Sequence, residues 1–298
     1  MDFKQAEVFL AVVEHGSLGR AAIARRLTQP AVSQTIRALE RELKTSLFHR
    51  VGSGLVLTPA GEAVVKPARQ ILRDLATARA SVAEVSGATS GTLELAAIYP
   101  VFEQPLIELI GTFRRDHPGV TVRVTEPDNE EVLLQQVHEG RVELGFCHLP
   151  TSGPHSVPGL ITHLIGRTEF CVVMPPHTRP DLPDPLPFAE IPDLPVVAAP
   201  GGAVARLAVE ERLRAAGMRT RLGVVTANRS MQIPLVLGGT GMAWTGRRSA
   251  DLAEVRGAVV RSLTPPILLP QALMHRPGYL APFARALRDL ALRRGSAA

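Results

Sequence analysis

The sequence predicts an α/β chain in two parts, a small helical head with a hairpin and a larger domain of alternating strands and helices, joined by one long helix. Three observations carry this. Residues 17–61 hold two short helical stretches with small residues between them, a polar helix flanked by arginines, and a short hairpin. Residues 64–85 repeat apolar side chains in a 4-3 rhythm. From Leu93 onward, short β-branched runs alternate with amphipathic stretches, which is α/β composition.

Taken in order, Phe3, Ala6, Phe9, Leu10 and Val13 form one face of a helix over Phe3–His15. Gly16 stops it, and Ser17 is the N-cap of a second helix over Leu18–Ala24. Ala21 and Ala22 are small enough for two helices to cross there. Thr28 caps a third helix that runs to about Glu42, with Pro30 in a first turn where a missing N–H costs little. Its buried face is Val32, Ile36 and Leu39, and its open face is Gln29, Ser33, Gln34 and Arg37. Strands over Leu47–Arg50 and Leu55–Leu57 enclose a glycine turn. This is a winged helix-turn-helix in one dimension, a module that lays a helix in the DNA major groove.

Thr58 and Pro59 open the long helix. Val64, Ala68, Ile71, Leu75, Ala78, Val82 and Val85 make a heptad seam along it. Nothing nearby in sequence offers the seam another partner, so it predicts pairing with a second copy. Pro67 predicts a local loosening costing roughly 3 kcal/mol. Residues 86–91 read as a linker. Beyond it, strands are expected over Leu93–Ile98, Val120–Glu126, Val142–Cys147, Phe170–Met174, Val196–Ala199, Leu222–Thr226, Met242–Thr245 and Gln271–His275. Helices are expected from Pro100, near Asn129–Glu139, and over Val204–Ala216, Met231–Leu237 and Pro282–Arg293. The alternation falls into two halves with crossings near Ile165 and Pro266, and parallel sheets bind ligands at their strand carboxyl ends. The expected domains are 1–58, 59–90 and 91–298, the last split into lobe I (91–165 and 267–298) and lobe II (166–266).

Composition agrees with this organisation. The 298 residues are 45% hydrophobic and 20% charged with net charge +5, a globular profile. Residues 1–60 hold eight Lys and Arg against five Asp and Glu, so the basic excess sits on the head, as phosphate binding requires. Aromatics make up only 4%, which argues against base stacking. No run of about 18 apolar residues occurs, and the acidic N-terminal stretch does not read as a secretory signal. Cys147 and Cys171 form no CxxC, and a reducing cytoplasm is the expected compartment. There is no GxSxG, HExxH or Walker lysine, and the nine histidines lack ligand spacing. Neither an enzyme, a metal site nor a cofactor is expected. The glycines at 238, 239 and 241 read as a turn entering a strand.

On the open face of the third helix, Gln29, Ser33 and Gln34 have the groups to bond base edges, and Pro30 and Ala31 the apolar surface for a thymine methyl. Arg37 and Arg50 suit phosphates, Thr28 combines capping with phosphate contact, and Ser17 joins the residues expected at DNA. The wing tip at 52–54 carries no basic side chain.

Several stretches resemble LysR-type transcriptional regulators: Gly16 and Ser17 before Arg20, Ala21 and Ala22; Leu27 through Gln34; Leu39 and Glu40; Leu47 through Arg50; and Leu57 through Gly61. The likeness is dense over residues 1–65 and architectural beyond. It implies a DNA-binding head, a linker helix that pairs subunits, and a two-lobed domain similar to periplasmic binding proteins. The implied partners are double-stranded DNA, a small-molecule effector such as an organic acid or aromatic metabolite, further copies of the chain as dimer or dimer of dimers, and RNA polymerase, with no membrane. The effector positions that it implies are Tyr99, Pro100, Val101, Cys147, His148, Gly201, Gly202, Asn228, Trp244 and Thr245. Family members often place Ser or Thr where this chain has Tyr99 and Pro100, which points to an aromatic-lined or larger pocket. Two alternatives stay open on the same scaffold: a redox sensor using Cys147 and Cys171, and an architectural DNA-binding protein without an effector.

Overall fold

The computed structural model describes residues 1–52, 54–85, 90–98, 106–151, 155–179, 181–278 and 280–295, with the side chains at 76–77, 79–81 and 83–85 also left undescribed. Contacts divide the chain into two units, Met1–Ala88 with Glu139–Arg141, and Thr89–His138 with Val142–Ala298.

The first unit is α1 (Phe3–His15), α2 (Leu18–Arg25), α3 (Gln29–Leu43), a hairpin of β1 (Phe48–Val51) and β2 (Gly54–Leu57), and α4 (Pro59–Val85). Local chemistry sets each boundary. The Asp2 carboxylate accepts the Gln5 N–H while the Gln5 side chain accepts the Asp2 N–H, a capping box on α1. Gly16 closes α1 in the left-handed region at φ 62°. Ser17 and Thr28 accept the Arg20 and Ala31 amides as N-caps of α2 and α3. Phe9, Val12, Ala21, Val32, Leu39 and Leu47 form the core, with Phe9 tilted on Phe48 at 5.4 Å. The Glu40 carboxylate accepts the Leu47 N–H at 2.8 Å, tying α3 to the hairpin.

The seam of α4 departs from expectation. Ala68 is fully buried in this core, and Val64 and Ile71 pack against it. The first half of the seam therefore has a partner within its own chain, chiefly α1. Sequence spacing could not show this, because α1 lies some sixty residues away along the chain. Val82, near the far end, is 67% exposed. Helix α4 runs unbroken through Pro67.

The second unit begins with β3 (Ser90–Ala97), α5 (Ile107–Asp116), β4 (Gly119–Thr125), α6 (Glu130–Glu139), β5 (Leu144–His148) and β6 (Ile161–Met174). It continues with β7 (Leu186–Pro187), β8 (Val196–Ala198), α7 (Val204–Ala215), β9 (Leu222–Val225), α8 (Gln232–Leu237), β10 (Ala243–Gly246) and α9 (Arg247–Val255). It ends with β11 (Val259–Arg261), β12 (Leu263–Thr264), β13 (Ile267–His275) and α10 (Pro282–Gly295). Strands run β10-β6-β13-β5-β3-β4 in one sheet, with β11 also on β6. Only β4, β3 and β5 are mutually parallel in it, because α5 and α6 carry the chain back between them. The long strands β6 and β13 pair antiparallel, so the sheet is mixed rather than purely parallel. One pair of core clusters surrounds β3, β5 and the end of β13, and another surrounds β8, β10 and the end of β6. These are the two lobes.

Strand β6 begins nine residues before the stretch that the sequence identifies. Its first half carries His163, Gly166, Arg167, Thr168 and Glu169, which hide the β-branched signal. Helix α9 and strand β11 are also absent from the sequence reading, and α9 buries only Ser249, Ala250 and Ala253. Among the described residues no helix is long and apolar enough to cross a membrane.

Candidate functional site

Helix α3 turns Val32, Ile36 and Leu39 inward and leaves Gln29, Pro30, Gln34 and Arg37 exposed, with Ala31 and Ser33 half-buried. Thr28 is exposed, and its hydroxyl accepts the Ala31 N–H at 3.4 Å. An open groove of about 910 Å³ joins Pro30, Ser33, Gln34 and Arg37 to Arg41, Lys44, Thr45 and Ser46. Arg41 and Lys44 extend the positive face beyond the residues singled out from sequence; the 4-3 spacing after Arg37 was the available signal. Glu40 also borders the groove, but its carboxylate is turned to the wing amides of Leu47 and Phe48. Arg50 is exposed on β1. Ser17 is half-buried and accepts from both the Arg20 amide and its Nε, at 3.2 and 3.3 Å, so it caps α2 and orients Arg20. Residue 53, the wing tip, lies outside the described residues. Chemically, this surface presents amides, a hydroxyl and three cations on one helix and its end, suited to base edges flanked by phosphates.

In the second unit, Tyr99, Pro100 and Val101 lie outside the described residues. The other proposed effector residues separate into groups. Trp244 and Thr245 on β10 line a cavity of about 50 Å³ with Phe170, Arg206, Arg229 and Gln232. The Arg206 guanidinium pairs with Glu210 at 2.7 Å and donates to the Ala199 carbonyl at 2.8 Å. Gly201 and Gly202 form an exposed turn before α7, where Gly202 takes φ 89°. Asn228 is exposed and spends its side chain capping the short turn at Arg229–Met231. Cys147 sits in a core cluster with Ala96, Leu133 and Met274 and does not line this cavity. Arg206, Arg229 and Gln232 were missed by sequence reasoning, because each gains its place in the cavity from contacts made through the fold.

His148, at the end of β5, is 1% exposed, and its Nε2 lies 2.8 Å from the Thr168 hydroxyl of β6. Thr168 also accepts from Gln271 Nε2 of β13 at 2.6 Å. The β13 register shifts beside Gln271, so this buried polar trio sits where the long strands bulge. Burial, helped by the Arg229 charge, pushes His148 down to about 3. A histidine held neutral in the fold binds a proton more readily once unfolded, so its contribution is present above its ordinary value of 6.5 and is lost as pH falls toward 3. The expected loss between pH 7 and pH 5 is about 2 kcal/mol. Thermal unfolding at both pH values measures it, and His148→Gln should flatten the difference.

The cysteines do not form the pair that a disulfide switch needs. Ala272, partner of Cys147 in the β5–β13 register, faces Leu164 of β6. Leu164 lies seven residues before Cys171, on the order of 20 Å along the strand, well beyond disulfide reach. Both thiols are buried. Burial pushes Cys171 up to about 12 and raises Cys147 further, with Glu130 adding to the rise. Thiols held protonated are poor nucleophiles. Among the described residues, no group of three or more His, Cys, Asp or Glu gathers as a metal site.

Comparison with known proteins adds to this geometry. Residues 3–62 match the family model of bacterial regulatory helix-turn-helix proteins of the lysR family, and residues 86–296 match the LysR substrate binding domain. The HTH-type transcriptional regulator GbpR of Azospirillum brasilense is 28% identical over 219 residues, covering 73% of this chain and 63% of that protein. The chain thus spans just under two thirds of this relative's length. The fold is similar to the crystal structure of CbnR, a LysR family transcriptional regulator, with TM-score 0.71 at 21% identity over 99% of both chains. Full-length CbnR complexed with its target DNA gives TM-score 0.67, also at 21% identity, over 99% of this chain and 100% of that one.

Proposed function

The chain belongs to the LysR family, in both its helix-turn-helix and its substrate binding domain, and on that basis we propose that it is a sequence-specific DNA-binding transcriptional regulator whose activity is set by a small molecule bound between its lobes. The observation that carries the reading is the exposed face of α3, where Gln34 and the half-buried Ser33 lie between Pro30 and the cations Arg37, Arg41 and Lys44. Hydrogen-bonding side chains read base edges, and the flanking cations hold phosphates. Such proteins bind as dimers on paired half-sites. The far half of α4, with Val82 exposed, is the part of the seam available to a second copy. The complex of CbnR with target DNA supports the same use of the fold. The protein works in the cytoplasm and adjusts transcription by RNA polymerase, without catalysis of its own.

Footprinting with the full chain on the DNA upstream of its gene tests the reading. Protected half-sites should lie one helical turn, or a multiple of it, apart. No protected bases on any flanking fragment would overturn it. Effector binding is read separately by thermal shift with a metabolite library on the wild-type chain, since a ligand at about 100 times its Kd adds about 2.7 kcal/mol to native stability. A chain that binds DNA and responds to no metabolite favours the architectural alternative.

A further inference from the structure

Helix α7 starts without a cap of its own. Its N-cap position is Ala203, which offers no side-chain acceptor. The Val204 N–H is taken instead by Glu130 Oε2 at 3.1 Å, a carboxylate 74 residues earlier in the chain. Glu130 opens α6 and is 6% exposed. Two residues before it, the Asp128 carbonyl accepts from Arg229 Nη2 at 3.0 Å, and Arg229 is 7% exposed. The start of α6 is therefore gripped at two points, by the first amide of α7 and by the residue that opens the turn before α8.

Placing a carboxylate here is costly. Burial raises Glu130 above the ordinary carboxylate range, against the pull of the Val204 amide and the Arg229 charge. A buried acid holds such a place only where partners offset its lost hydration. The place that it fills is the positive end of a twelve-residue helix, where a carboxylate ligand would otherwise dock. Glu126 and Asp128 add negative charge around Arg229. Separately, two nitrogens, His148 Nδ1 at the end of β5 and Trp244 Nε1 on β10, are buried without a hydrogen-bond partner among the described residues, and Phe170 links them: its ring stands 5.6 Å from that of His148 and lines the same cavity as Trp244. Both groups are uncharged, since burial keeps His148 neutral. They suit a ligand that carries hydrogen-bonding groups and no negative charge.

We infer that Glu130 is a specificity-determining residue of the effector site: an internal carboxylate that occupies the amide end of α7, rejects carboxylate ligands, and reserves the site for uncharged hydrogen-bonding molecules. This rests on the effector reading proposed above. It departs from the organic acid that the family resemblance leaves among the candidates.

The test measures calorimetric binding of benzoate and its uncharged analogue benzamide to the full chain, as wild type, Glu130→Ala and Glu130→Gln. Removing the side chain frees the Val204 amide, so E130A should bind benzoate at least tenfold more tightly, with benzamide within twofold of wild type. E130Q keeps an acceptor and loses the charge, so its gain for benzoate should be about threefold. Hydrogen exchange at the α7 amides should quicken in E130A and stay slow in E130Q. Benzoate affinity that is unchanged in both variants, or a gain shared equally by benzamide, would overturn the inference. Failure of benzoate to bind E130A would also overturn it. The effector reading would survive that result, because the wild-type metabolite screen tests it alone.

Discussion

Replacing Gly61 with alanine is expected to lower the melting temperature of the DNA-binding unit by roughly 10 °C. Gly61 stands in the first turn of α4, where its N–H donates to Thr58 Oγ1 at 3.0 Å. A Cβ there would lie 2.2 Å from the Leu47 carbonyl oxygen and 2.8 Å from Leu57 Cδ2. The Leu57 methyl could turn aside, but the Leu47 backbone is pinned. Its carbonyl accepts the Thr58 N–H at 3.0 Å, and its amide donates to Glu40 at 2.8 Å. Forcing this junction apart costs about 3 kcal/mol. Alanine's better helix propensity returns about 1 kcal/mol, leaving about 2 kcal/mol of net loss. Circular dichroism melts of the wild type and G61A measure it. A melting temperature within 2 °C of wild type would show that the α3–wing–α4 junction yields more readily than these contacts imply. Loss of DNA binding should accompany the loss of stability, since the same junction sets the wing against α3.

The second large effect is on DNA affinity. If two copies together neutralise six to ten phosphates, affinity should fall about 10³- to 10⁵-fold as salt rises from about 50 to 200 mM. Within that dependence, Arg37→Ala should weaken binding to all sequences alike and reduce the salt slope by about one per subunit. Gln34→Ala should cost about 1–3 kcal/mol on the cognate site and much less on unrelated DNA. Fluorescence anisotropy over a salt series, on cognate and scrambled duplexes, separates the two. Equal losses on both duplexes for both variants would contradict the division between reading and holding. Arg41 and Lys44 share the groove with Arg37, so their alanine variants should behave as Arg37→Ala does.

Legibility varied with the range of the interactions concerned. The head was open to reading because its signals are local. Ser17 and Thr28 cap the helices that follow them, Gly16 ends α1, and the 3.6-residue rhythm separates Val32, Ile36 and Leu39 from the open face of α3. The strand–helix alternation of the second unit was readable for the same reason. Polar residues hid the first half of β6, and α9 carried too little apolar periodicity to register. Among the residues proposed for the effector, Trp244 and Thr245 do line a cavity, whereas Asn228 is spent on a local cap and Cys147 on the core. Neither outcome is encoded in spacing.

By itself, the sequence determined most of the helices and strands and which face of α3 is left open, because caps, turns and periodicity act within a few residues. Only the tertiary structure decided that α1 covers half of the α4 seam, that the two thiols lie apart, and that Glu130 and Arg229 reach across 74 and 101 residues to grip the opposite segments. Those outcomes depend on which surfaces lose their water together, and burial of that kind is set by the assembled fold rather than by neighbours along the chain.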